Sequence, residues 1–344
     1  MGLLLLLLVG LLLLWAATVA WTAWLLTHPP RRTLAWAISR GVPADPSQLP
    51  RPRDSREWTF RTRGLDLPVW DVQGDDPGGP VVVMTYGWSD SRIGALRRLE
   101  AVAPVASRLI VWEQEGHGDP HDVPGLCRLG TREPDDLCAL LEHVDDGGRG
   151  VVLFGWSLGA GASIVAAARR GVRERIRAVI AEAPYRFAPT PARNVLRLRG
   201  MPWRATLMPA MAVIGLVQRL APNWGTGPAF DRAAHAPRLA CPLLVLHGTD
   251  DEVCPIEDGR AIAAAAPTHP HHPHGRIVEI EGGRHNSLWT DERHRARAEA
   301  AVREFVGKNA EGTEKNAEGA EMDEGAWGLG LGGKGSRDRG AGTE

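Results

Sequence analysis

Gly150-Val151-Val152-Leu153-Phe154-Gly155-Trp156-Ser157-Leu158-Gly159 is the stretch that decides the fold. A short apolar run, the pattern of a strand buried on both faces, passes directly into Gly-x-Ser-x-Gly. The helix-forming, Ala-rich segment Ala160–Arg170 follows. A serine held on a tight strand-to-helix turn needs small residues two positions to either side, and Gly155 and Gly159 supply them. The N-terminus of the following helix brings free main-chain N–H groups and positive dipole to any negative charge that develops beside Ser157.

Outward from this stretch, similar apolar runs recur at Val81–Thr85, Leu109–Trp112, Ala178–Ala181, Leu243–Leu246 and Ile277–Ile280. Helical periodicity fills the intervals, best at Ile93–Val105, Glu133–His143 and Ile256–Ala266. Such alternation predicts a mainly parallel sheet covered on both faces. Two alternating runs around Gly64, Glu57–Arg63 and Asp66–Val72, predict an antiparallel hairpin at its start. The interval 187–236 is too long for a simple crossover and holds an apolar helical stretch, Ala205–Leu220, so a cap insertion is expected there.

A serine hydroxyl needs a base, and the base needs an orienting acid. The run 242–246 leads into His247-Gly248-Thr249-Asp250-Asp251, and the run 277–280 leads into Glu281-Gly282-Gly283-Arg284-His285. The chain order Ser157, Asp251, His285 suits nucleophile, acid and base; Asp250 and Glu252 are the alternative acids. A helix N-cap is the plain structural role for any of these carboxylates.

With Glu115-Gly116-His117-Gly118, Gly155–Gly159, His247–Pro255 and Gly282–Asn286 in order, the region of about 57–306 resembles the α/β-hydrolase superfamily. It is most similar to the serine hydrolases and serine aminopeptidase-like proteins with a cap after the sixth strand. The resemblance implies an α/β fold with a mainly parallel eight-stranded sheet, helices on both faces and a cap. It implies Asp251 as the acid, four positions after His247 and four before Pro255. It implies main-chain N–H groups of Trp88 and Leu158 as the oxyanion hole. Tyr86 stands where the family usually has a histidine, which changes what supports that loop.

Residues Gly2–Thr27 carry no charge and are dominated by leucine. About 20 apolar residues cross a bilayer. The missing positive n-region and the length of the run favour an uncleaved anchor over a signal peptide. The expected organisation is an anchor at 1–28, a linker at 29–56, the hydrolase domain at 57–306 and a disordered tail at 307–344. Arg31 and Arg32 on the C-terminal flank place the main domain in the cytoplasm by the positive-inside rule.

The four cysteines form no metal spacing, and His269, His271, His272 and His274 suit a solvated loop better than a metal site. A net charge of −1 without a basic face argues against nucleic acid. No metal or organic cofactor is expected. The expected activity is hydrolysis of an ester or acyl bond in a small or lipid-like substrate at a membrane. Amide or peptide cleavage by the same machinery, and a non-catalytic hydrolase-like scaffold, are the alternatives.

Overall fold

The structure is a computed structural model and describes residues 1–267 and 275–308. The His269–His274 cluster and the tail from 309 lie outside the described residues.

Eight strands form one sheet: β1 (Ser55–Thr62), β2 (Leu65–Gln73), β3 (Val81–Thr85), β4 (Arg108–Trp112), β5 (Val151–Trp156), β6 (Ile176–Glu182), β7 (Leu243–Gly248) and β8 (Arg276–Ile280). Their order is β1-β2-β4-β3-β5-β6-β7-β8. The β1–β2 hairpin and the β2–β4 pair are antiparallel; all other pairs are parallel. This is the sheet expected from the alternating apolar runs.

The inner strands are buried on both faces because successive side chains point to opposite sides. Val81, Val83, Leu153, Val179 and Val245 pack on one side with α4 (Glu133–His143), α5 (Leu158–Ala167) and α9 (Ile256–Ala265). Val82, Met84, Val152, Phe154 and Ile180 pack on the other, against α3 (Arg92–Val102) and the helix at 292–308. Burying each Val, Leu or Phe contributes about 1.5–3 kcal/mol.

The chain leaves β3 toward β4 and then crosses back, so β5 lies on the other side of β3. Such a reversal opens a crevice at the carboxyl ends of the two strands. The loops following β3 and β5 meet there, and they carry Trp88 and Ser157.

Between β6 and β7 stand α6 (Pro189–Leu198), α7 (Trp203–Val217) and the short α8 (Arg232–His235). They occupy the interval from which a cap was expected.

At the other end, α1 (Gly2–Thr27) is 26 residues long, and among the described residues it is the one helix long and apolar enough to cross a membrane. Its composition suits a membrane span and a signal sequence alike. Leu3–Leu14 are exposed, whereas Val19, Ala23 and Leu26 are buried with the α7 residues Leu207, Met211 and Ile214. Two donors of the main domain satisfy carbonyls that every helix end leaves free. Trp88 Nε1 donates to Leu26 O at 2.8 Å, and Cys127 N donates to Thr27 O at 2.9 Å.

The segment expected as a linker, or as a short helix with irregular ends, is tied to the main domain. It holds α2 (Leu34–Arg40), whose N-cap Thr33 accepts from Trp36 N, and β1 begins inside it at Ser55. Arg31 donates to the carbonyls of His117 and Val123, and Arg32 pairs with Asp90 at 2.7 Å. These partners lie about 60 to 90 positions away in sequence, so local composition does not display them.

Candidate active site

Ser157 sits between β5 and α5 with φ 55° and ψ −114°, a left-handed backbone that costs a non-glycine residue energy. The turn is held from several sides. Ser157 N donates to Glu182 O at 2.8 Å. Trp156 Nε1 donates to Asp90 Oδ2 at 3.0 Å, and the Arg98 guanidinium stacks 3.9 Å over the Trp156 ring. A side chain at Gly155 would strike the Gly159 carbonyl, and one at Gly159 would strike the Thr85 carbonyl. Both glycines are therefore required by close backbone approach. The Ser157 side chain does not cap α5.

The acid and the histidine arrive from the ends of β7 and β8. Asp251 turns back on itself: its Oδ1 accepts from Val253 N at 2.9 Å and Cys254 N at 2.8 Å. Its Oδ2 lies 2.8 Å from His285 Nδ1. In the neutral imidazole, an ionised carboxylate makes that nitrogen the donor and leaves Nε2 unprotonated. Asp250 and Glu252 go elsewhere: Thr249 Oγ1 donates to Asp250, and Glu252 meets Arg284 at 3.6 Å. None of these acids caps α9, whose N-cap is Pro255.

Burial works against the Asp251 charge, but the imidazole and the two N–H groups outweigh it and hold the carboxyl below the ordinary value. Burial also disfavours the His285 imidazolium. Hydrogen bonds to the Cys254 sulfur and to the Asp251 carboxylate, with that carboxylate's charge, more than offset this, so its pKa stands above the ordinary value.

The Ser157 hydroxyl points to Cys254 Sγ, 4.0 Å away. Resting sites often hold their catalytic hydrogen bonds long or unformed, and a rotation about χ1 redirects the oxygen. Cys254 is buried, and desolvation raises its pKa, so it stands as a neutral thiol against both serine and histidine. The Asp251, Cys254 and His285 ligand-type atoms lie within 4.8 Å of one another.

The loop after β3 passes over the serine. A Cβ at Gly87 would come within 3.0 Å of Ser157 Cβ, so glycine permits the approach. Neither the Trp88 nor the Leu158 main-chain N–H has an acceptor among the described residues. Beneath this loop, Tyr86 is fully buried; its hydroxyl donates to Glu113 Oε2 at 2.6 Å and accepts from Gln114 N. Glu113 accepts in turn from the Arg92 main chain and guanidinium. Burial raises the Glu113 pKa, against the pull of Arg92 and Tyr86. This network is the support that stands where the family usually has a histidine.

Ser157, His285 and Trp88 open into a cavity of about 300 Å³, walled by Leu26, Val195 and Met211 among others. The wall is mainly apolar and combines the end of α1 with the cap.

Sequence reasoning missed three contributors. Cys254 belongs to a set of cysteines with no metal spacing, and nothing local marks it as a neighbour of Ser157. His247 is buried, and its Nε2 donates to Cys254 O at 2.9 Å, clamping the acid's turn. Leu26 belongs to the apolar N-terminal run, and no local signal marks it as a pocket wall. His117 is buried with Nδ1 3.0 Å from Glu115 O, and burial lowers its pKa to about 4.

The fold has many counterparts. The Pyrococcus furiosus esterase superposes with a TM-score of 0.60 at 15% identity, over 82% of this chain and 98% of that one. Est1E from Butyrivibrio proteoclasticus gives 0.51 at 15% identity, over 74% and 98%. The acylaminoacyl peptidase of Pyrococcus horikoshii gives 0.55 at 17% identity, over 75% of this chain and 42% of its own. At these identities the likeness speaks for the fold. Residues 77–300, more than half of the chain, match the model of the Alpha/beta hydrolase family. With the eight-stranded sheet and its Gly-x-Ser-x-Gly elbow, that match makes the chain a member of the Alpha/beta hydrolase family.

Proposed function

We propose that this chain is a membrane-anchored serine hydrolase that cleaves carboxylic esters with an apolar acyl group. The observation that carries the reading is the contact of 2.8 Å between Asp251 and His285, beside a strained serine at the mouth of an apolar cavity. His285 Nε2 takes the Ser157 proton as Oγ attacks the acyl carbon. The tetrahedral oxyanion accepts from the Trp88 and Leu158 N–H groups. His285 then gives its proton to the departing alcohol, and water repeats the sequence to release the acid and restore Ser157. Asp251 holds the tautomer and stabilises the imidazolium.

The apolar cavity wall and the Pyrococcus furiosus esterase of like fold favour esters over peptides. The 26-residue apolar α1 favours anchoring, and Arg31 and Arg32 beyond it favour a cytoplasmic domain. Ser157→Ala is the test. A fluorophosphonate probe labels the folded wild-type chain and leaves the variant unlabelled, and hydrolysis of short nitrophenyl esters disappears with the label. A folded wild-type chain that refuses the probe would indicate a scaffold instead. Matched ester and peptide panels competing for the probe separate esterase from peptidase.

A further inference from the structure

Beyond its first two residues, Trp203 and Arg204, the cap helix α7 has no polar outer face. From Ala205 to Val217 its only polar side chain is Thr206, and that one is buried. Thr206, Leu207, Ala210, Met211 and Ile214 face the protein. The opposite side presents Met208, Ala212, Val213, Leu216 and Val217 outward, with Leu216 81% and Val217 68% exposed. A helix that is apolar all round has both sides out of water. One side of α7 is already covered by the domain, so the other requires an apolar medium.

The hydrogen bond from Trp15 Nε1 to Ala205 O, 3.0 Å, says which medium. At 1.5 Å per residue α1 is about 39 Å long, against about 30 Å of bilayer hydrocarbon. Any 30 Å length of such a helix includes its middle, and Trp15 is at the middle. Wherever a span settles along α1, the start of α7 is therefore at hydrocarbon depth.

Charge agrees with depth. From Ala183 to Phe230 there is no acidic residue and no lysine, but there are six arginines. Arg186 pairs with Asp231. Arg193, Arg197, Arg199, Arg204 and Arg219 are exposed and meet no carboxylate among the described residues. These five flank the apolar face, in a chain whose net charge is −1. Arginines beside an apolar helix face extend their heads to anionic lipid headgroups.

We infer that the outer face of α7 is embedded in the acyl chains of the leaflet that α1 crosses, with the five arginines on anionic headgroups. The inference rests on the reading of α1 as a membrane span. It makes a membrane lipid the substrate class, because the cavity wall at Met211 belongs to the embedded helix.

The test uses the full chain in vesicles, with an environment-sensitive fluorophore on Leu216→Cys in a Cys138→Ala background; the other three cysteines are buried. Arg173→Cys, on the crossover between β5 and β6, is the water-facing control. In phosphatidylcholine–phosphatidylglycerol vesicles the label at 216 shifts to the blue and is quenched by brominated acyl chains, while the label at 173 does neither. Replacing the five arginines with glutamine weakens that quenching. Carbonate-resistant flotation of the same vesicles tests the span separately. A chain that floats while its label at 216 behaves like the one at 173 overturns the inference and leaves the span intact. A chain stripped by carbonate overturns the span. A blue shift that grows with protein-to-lipid ratio, without lipid-chain quenching, overturns the inference in favour of a second copy on this face. Equal quenching in pure phosphatidylcholine, unchanged without the arginines, overturns the anionic preference.

Discussion

Asp251 shows how much a single carboxylate is asked to do. It orients His285, closes its own turn on two N–H groups, and lies 3.6 Å from His247. In the proposed mechanism the neutral imidazole is the base, so a raised His285 pKa moves the acid limb of the rate profile to higher pH. Asp251→Asn removes a cause of that rise. Its acid limb, measured as kcat/KM against pH on a soluble ester, is expected at lower pH than wild type, with kcat reduced about 10⁴-fold as in other triads. An unmoved limb would show that the carboxylate does not set the histidine's titration. At this scale the main candidates were legible: Ser157, Asp251 and His285 each follow an apolar run, and strand ends are where this architecture exposes chemistry. Cys254 and His247 were not, because their roles arise from a turn folded back on itself, which spacing alone does not report.

Among the elements, the end of β6 deserves a measurement. Glu182 accepts from Arg98 Nε and Nη2 at 2.7 and 2.6 Å and from Trp289 Nε1 at 2.7 Å, and its carbonyl holds Ser157 N. Arg98→Ala leaves a buried carboxylate short of its partner and removes the cation stacked on Trp156. A loss of about 3–5 kcal/mol is expected in chemical denaturation. The turn at 115–118 gives a pH signature. His117 binds protons less readily folded than unfolded, with its pKa moving from 6.5 to about 4. The unfolded chain therefore holds more protons between those values, and stability rises with pH there. The contribution is complete above about pH 6.5 and lost as pH falls through 4, about 3 kcal/mol in all. Denaturation midpoints of wild type and His117→Asn should converge on acidification over that window. The strands and most helices were legible from period and length, since burial on both faces dictates apolar runs. The hydrogen bonds of Arg31 and Arg32 were not, because their partners are set by tertiary packing.

For the whole molecule, α1 is part of the fold as well as a proposed anchor. Deleting residues 2–27 uncovers the cap and removes burial of Val19 and Leu26, worth about 3–6 kcal/mol together. The shortened chain is expected to melt lower and to show a raised KM for long-chain esters, since Leu26 walls the cavity. Equal melting temperatures and equal chain-length profiles would show α1 to be a detachable tether. Composition announced the apolar run, but the burial of its last third depends on a cap helix more than 170 residues downstream.

Asp90 joins these levels. One carboxylate oxygen takes Arg32, five residues past the end of α1; the other takes Trp156, the residue before Ser157. With α1 in a bilayer, the reactive hydroxyl is thereby held at a set height relative to the lipid surface, like a cutter on a fixed arm. Among bonds of equal intrinsic reactivity, the one cleaved is then the one that lies at that height.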